Sequence, residues 1–192
     1  MKIKKIILVA LMFGTLITNA NEKDNTNYKE AKKTVKVEFN NVKKGQTLTI
    51  KNSNGLTVYN NEIQNSGDYS KTFDFSALEN GIYSAELNKD FEIVIKQFYV
   101  ENGLVTFLNN KDEKIFKPII RTEGELLLIS KINFNNEPLK VTLYYNDEAV
   151  LSETISGDKL LQRVYKLSEK EVGAYKVVVS SDERTYTKEF TI

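Results

Sequence analysis

The chain has 192 residues, with 27 Lys and Arg against 26 Asp and Glu, and it contains no histidine, cysteine or tryptophan. Lack of His and Cys removes the Ser-His-Asp triad, the Cys-His pair and imidazole or thiolate metal ligation from its chemistry. Near-neutral charge of mixed sign leaves no electrostatic footprint for nucleic acid or anionic lipid, and without disulfides the fold must rest on core burial.

The first twenty residues read as a secretory signal peptide. Lys2, Lys4 and Lys5 precede the apolar run Ile6–Leu16, and Thr18-Asn19-Ala20 supplies small residues before a cut after Ala20. The run is shorter than the roughly 20 apolar residues that span a bilayer, so the mature chain is expected to have no membrane span. Cleavage takes three lysines away and turns the net charge of +1 slightly negative. Residues 21–33 are polar and charged and read as a flexible leader.

From Thr34 the hydrophobic period is two. Val35, Val37 and Phe39 alternate with Lys36 and Glu38. Leu48 and Ile50 lead through the turn Asn52-Ser53-Asn54-Gly55 into Val58 and Tyr59, which predicts a hairpin. Further turns at Asn65–Asp68, Glu79-Asn80-Gly81 and Asn88-Lys89-Asp90 separate Phe73 and Phe75 from Tyr83, Ala85 and Leu87, and these from Phe91–Val100. Short strands at this spacing predict an all-β fold of two tandem immunoglobulin-like antiparallel sandwiches, at 34–110 and 111–192, with the division in the polar run Asn109–Glu113. The expected inward faces carry Val35, Val37, Leu48, Ile50, Phe73, Phe75, Tyr83, Ala85 and Leu87 in the first. In the second they carry Val141, Leu143, Leu151, Leu167, Tyr175, Val177 and Val179.

Two domains are expected because the chain repeats itself. Gly81-Ile82-Tyr83 returns as Gly173-Ala174-Tyr175, 92 positions on, and at the same displacement Phe75-Ser76, Phe98, Val100 and Ile63 meet Leu167-Ser168, Phe190, Ile192 and Ile155. With a one-residue gap, Leu48 and Ile50 meet Val141 and Leu143. Upstream, Phe39-Asn40-Asn41 is set against Phe134-Asn135-Asn136.

The candidate sites are modest. Asp74, before Phe75-Ser76, reads as a turn carboxylate, and Asn146-Asp147-Glu148 as a hairpin tip. Glu169 and Glu171 show no sign of facing each other across a cleft, as glycoside hydrolysis would require. Tyr144-Tyr145 puts one ring on each sheet face, and the outward ring is a possible surface contact for a sugar or peptide. Phe91–Ile95 could add to a foreign strand if it lay at an edge, although an interior place is favoured. No catalytic residue, metal ligand or cofactor site is assigned.

Several of these segments carry a family resemblance. Pro118, the strand with Leu126, Leu128 and Ile132, the hairpin Val141–Val150, Leu167-Ser168 with Val172-Gly173-Ala174-Tyr175, and the terminal Lys188–Ile192 resemble the C-terminal sorting domain of the type IX (Por) secretion system of Bacteroidetes. Residues from Thr34 to Val100 form a second, looser copy, in which Asn54-Gly55, Phe73–Leu78 and Asn80-Gly81-Ile82-Tyr83 lie closer to the signature. The resemblance implies an immunoglobulin-like sandwich, recognition by secretion machinery or cell-surface components, and a secreted or surface location, otherwise a periplasmic one. Gly81, Tyr83, Gly173 and Tyr175 are its signature positions. The expected function is non-catalytic export or envelope interaction. The alternatives are an extracellular glycan- or peptide-binding module and, last, a histidine-free hydrolase.

Overall fold

The computed structural model describes residues 34–108, 111–157 and 159–192. The expected signal peptide and leader lie outside them. Among the described residues the chain is all strand and turn, with no helix. None, therefore, is long and apolar enough to cross a membrane.

The first half contributes β1 (Thr34–Val42), β2 (Thr47–Asn52), β3 (Thr57–Glu62), β4 (Gly67–Asp74), β5 (Gly81–Asn88), β6 (Glu92–Glu101), β7 (Leu104–Phe107) and β8 (Glu113–Phe116). β1 pairs antiparallel with β4 and faces a second sheet ordered β3-β2-β5-β6-β7, in which β8 also pairs with β6. The period-two pattern decides which side of each strand turns inward. Val35, Val37 and Phe39 are buried while Thr34, Lys36 and Glu38 are exposed. The core they enter is aromatic at its centre. Phe98 lies 4.9 Å from the Phe75 ring and 5.8 Å from that of Tyr83, with Phe107 at 6.0 Å. All nine inward residues expected from the sequence are buried here. β6 lies between β5 on one side and β7 and β8 on the other, with β8 along Glu92–Ile95, so Phe91–Ile95 is not an edge.

The second half contributes β9 (Ile119–Glu123), β10 (Leu126–Ile132), β11 (Leu139–Tyr145), β12 (Glu148–Ile155), β13 (Leu160–Lys166), β14 (Ala174–Ser181) and β15 (Arg184–Thr191). Its sheets are ordered β13-β10-β9 and β12-β11-β14-β15 around a separate core. Of the inward residues expected there, all are buried except Leu151, which is half-buried against the core.

The β1–β4 pairs Val35↔Phe73, Val37↔Lys71 and Phe39↔Tyr69 recur in β10–β13 as Leu127↔Tyr165, Ile129↔Arg163 and Lys131↔Leu161. Every member is displaced by the 92 positions that separate Gly81 from Gly173. This corrects the match of Phe39-Asn40-Asn41 to Phe134-Asn135-Asn136. Residue type suggested that match, but the core-facing register sets the equivalence, and it puts Lys131 in the place of Phe39. Phe134 is largely exposed and packs edge-on against Phe116, 5.6 Å between centroids.

The division expected near Asn109–Glu113 differs from what the backbone does. β8 begins at Glu113 and stays with the first sheet, pairing Ile115 with Ile93 and Glu113 with Ile95. Ile93 and Ile95 point away from Val94 and Phe98, belong to neither core, and are nevertheless buried. On that same face, beside Ile95, lies Glu86 of β5. Arg184 of β15 donates to both its carboxylate oxygens, at 2.8 and 3.1 Å, and Lys51 donates to one at 2.9 Å. The two sandwiches are thus fastened together by a charged clamp on the back of the first sheet.

Burial alone pushes the Glu86 carboxyl up, the largest single influence, but the hydrogen bonds and charges of Arg184 and Lys51 together hold it below its ordinary value of 4.5. A depressed carboxylate stabilises the fold fully above its unfolded value, and that contribution is lost as pH falls through the lower folded value. Glu86→Gln is expected to cost about 1–3 kcal/mol at pH 7, below the range for a fully buried pair because Arg184 is partly exposed. Urea midpoints of wild type and variant, taken from pH 7 downward, should converge only below pH 4.5. Parallel curves throughout would contradict the clamp.

Candidate functional site

The two signature corners come first, since the sequence singles them out. Tyr83 is buried, and its hydroxyl donates to the carbonyl of Glu79 at 3.0 Å. Tyr175 is buried, and its hydroxyl donates to Glu171 at 2.9 Å. Each ring lies nearly parallel to a phenylalanine on the neighbouring strand, Phe98 or Phe190. A tyrosine whose ring enters the core while its hydroxyl ties back to backbone four residues upstream pins the loop before the strand, as in immunoglobulin-type sandwiches. Both tyrosines are structural corners inside the cores.

The glycines beside them are held for different reasons. Gly81 has open space about it but a φ of +157°. At Gly173 the constraint is crowding, because an added Cβ would stand 2.9 Å from Cε2 of Tyr145. Gly173→Ala is expected to cost about 1–3 kcal/mol through overpacking. Tyr145→Leu should relieve most of that cost in a double-mutant cycle read by thermal unfolding. Additivity of the two changes would show that the ring is not the obstacle.

Tyr144 and Tyr145 do occupy opposite faces. Tyr145 packs on Tyr175 at 4.9 Å and donates to the Val172 carbonyl at 3.3 Å, so it belongs to the second corner. Tyr144 faces outward under the ammonium of Lys176, 4.9 Å from its centroid, and that ammonium donates to Asp147. Asp74 accepts from the Ser76 amide at 2.9 Å, as a turn carboxylate should. Among the described residues no group of three or more acidic, His or Cys side chains is placed to hold a metal.

The more open feature lies where the sandwiches meet. A groove of about 440 Å³ is lined by the apolar Phe91, Ile119, Ile132 and Leu160 and by the lysines Lys43, Lys89 and Lys117. Lys43 donates to Asp90 at 2.6 Å, and this bond with that from Gln46 holds the Asp90 carboxyl below the usual range. Lys117 donates to the amide oxygen of Asn88 at 2.9 Å. Burial pulls its ammonium below its ordinary value, against a smaller opposing effect of Asp90. Such an arrangement offers an apolar bed with cations beside it. The groove is not legible in the sequence. Its only trace there is apolar residues at outward-facing positions of a strand pattern, and such residues are read as core until the register is known.

Residues 31–101 match the family described as "Secretion system C-terminal sorting domain". The match falls on the first sandwich, in which Phe73–Leu78 and Asn80–Tyr83 lie nearest the signature. A solved structure titled "Biofilm associated protein - BSP domain" is 14% identical, with 86% of this chain and 29% of that chain covered and a TM-score of 0.28. The chain thus spans less than a third of that structure's length. No curated protein matches it. The first sandwich therefore resembles a secretion sorting domain, and a protein carrying that module is of the secreted or cell-surface kind.

Proposed function

We propose that the protein is an exported, non-catalytic tandem of two sorting-domain-like sandwiches that acts through its surfaces, with secretion machinery or cell-envelope components as partners. The observation that carries this reading is the sorting-domain match over residues 31–101. The second sandwich supports it by repeating the same tyrosine corner and strand pairing. The loops and edges around a rigid double scaffold are the natural recognition elements of such a protein. The reading assigns no catalytic step, which the lack of His and Cys supports, and the carboxylates at the junction groove are engaged by lysines, Asp90 by Lys43 and Glu92 by Lys114.

The test is cell fractionation with intact-mass measurement in the native host and in a host lacking its sorting-domain secretion pathway. The expected result is protein at the surface or in the medium only when the pathway is intact. Retention in the periplasm of the intact host would remove the export reading. The measured mass would also show whether the second sandwich stays attached.

A further inference from the structure

We propose that the outer face of the β9–β10–β13 sheet, together with the junction groove, is a docking surface for an acidic amphipathic segment of a partner protein. The register carries the argument. Leu127, Ile129 and Lys131 of β10 turn inward, so Leu128, Ser130 and Ile132 turn out. Across the sheet, Ile132 pairs with Leu160, and Leu128 pairs with Val164 on one side and Arg121 on the other. Ile119, Ile132, Leu160 and Val164 are 40, 42, 56 and 58% exposed.

The same outward positions in the first sandwich are polar. Those equivalent to Leu128, Ile132, Leu160 and Val164 are Lys36, Asn40, Asp68 and Thr72. One copy of the fold keeps a solvated outer face and the other an apolar one. The fold itself therefore does not require apolar residues there, and contiguous exposed apolar surface marks interaction sites.

Shape and charge select the occupant. The junction groove and a second hollow of about 460 Å³, lined by Arg121, Leu128, Gln162 and Val164, share Ser130 and so run together along β10. Arg121 and Lys117 lie at this track. Arg121 has no ion-pair partner among the described residues, and Lys117 has the amide oxygen of Asn88 and only the more distant charge of Asp90, which Lys43 already pairs, while Glu92 is paired with lysines. Glu123 and the Glu125–Lys166 pair stand at the far end. The track therefore presents apolar surface with a surplus of cations. A segment with aliphatic side chains on one side and carboxylates able to reach Arg121 and Lys117 complements it.

Fluorescence anisotropy with the purified protein tests this, using a labelled twelve-residue peptide of alternating leucine and glutamate and a second of alternating leucine and lysine. The glutamate peptide should bind at least about tenfold more tightly, and its preference should fall as salt rises. Arg121→Gln should reduce that preference. A graft of the first sandwich's residues (Leu128→Lys, Ile132→Asn, Leu160→Asp and Val164→Thr) should weaken binding about tenfold or more. Should the graft not fold, Ile132→Asn and Val164→Thr separately carry the same expectation. Equal affinity for the two peptides, or undiminished binding by the folded graft, overturns the proposal. So does self-association, or sedimentation with anionic vesicles, that the graft abolishes while the peptide fails to bind.

Discussion

Asp182→Asn is expected to destabilise the protein by about 3–5 kcal/mol, the range for removing one member of a buried ion pair. Lys131 and Asp182 lie 2.8 Å apart, and their side chains are only 2 and 6% exposed. The asparagine keeps the shape of the side chain and tolerates the left-handed backbone at this position, φ +51°, so the change isolates the charge. At about 2–4 °C per kcal/mol for a chain of this size, the melting midpoint should fall by about 6–20 °C. Combining Asp182→Asn with Lys131→Met should recover most of the loss, because an apolar side chain then fills the place that Phe39 fills in the first sandwich. Urea denaturation of the single and double variants checks this, and a single variant within about 0.5 kcal/mol of wild type would show that the pair carries little. The effect should extend beyond the second core. Asp182 also accepts from the Asn135 amide, and it begins the turn from which Arg184 reaches Glu86. Loosening it should therefore loosen the clamp between the sandwiches, which accelerated amide exchange at Ile93 and Ile95 would report.

The second large effect is Phe98→Ala, expected at about 3–5 kcal/mol. Phe98 is fully buried and meets the rings of Phe75, Tyr83 and Phe107, so its removal leaves a cavity bounded by rigid aromatics that cannot collapse well. Its counterpart Phe190 stacks on Tyr175 in the same way, at 5.5 Å, but is only partly buried. Phe190→Ala should cost about 1–2 kcal/mol, the transfer of part of one side chain. The difference has a topological cause. β7 flanks β6 and brings Phe107 over Phe98, whereas β15 is the last strand of its sheet. Far-UV circular dichroism through urea titration compares the two. Equal losses would mean that the second core is as tightly closed as the first.

The corners show how far residue patterns alone reach. Gly81-Ile82-Tyr83 and Gly173-Ala174-Tyr175 are legible as equivalent from the residues alone, because a buried tyrosine needs both a core-facing position and a backbone acceptor. Those needs fix it beside a turn at the head of a strand. The reasons for the two glycines were not legible, since the crowding at Gly173 comes from Tyr145 on another strand. Strand β8 was missed for a similar reason. Its four residues carry too little periodicity, and only pairing with β6 makes them a strand.

Alternation along β1, β2, β5, β11 and β14 determined by itself that the chain is all-β and which of those side chains form the cores. A period of two admits one buried face, and burial of apolar area selects it. The run Leu126-Leu127-Leu128-Ile129 is apolar at every position and so specifies no face. Only the pairing with β13 decided that Leu127 and Ile129 enter the core, that Lys131 follows them in to meet Asp182, and that Leu128 and Ile132 are left on the outside. The candidate docking surface and the clamp both depend on long-range register, which local sequence does not encode because it is set by contacts between residues far apart in the chain.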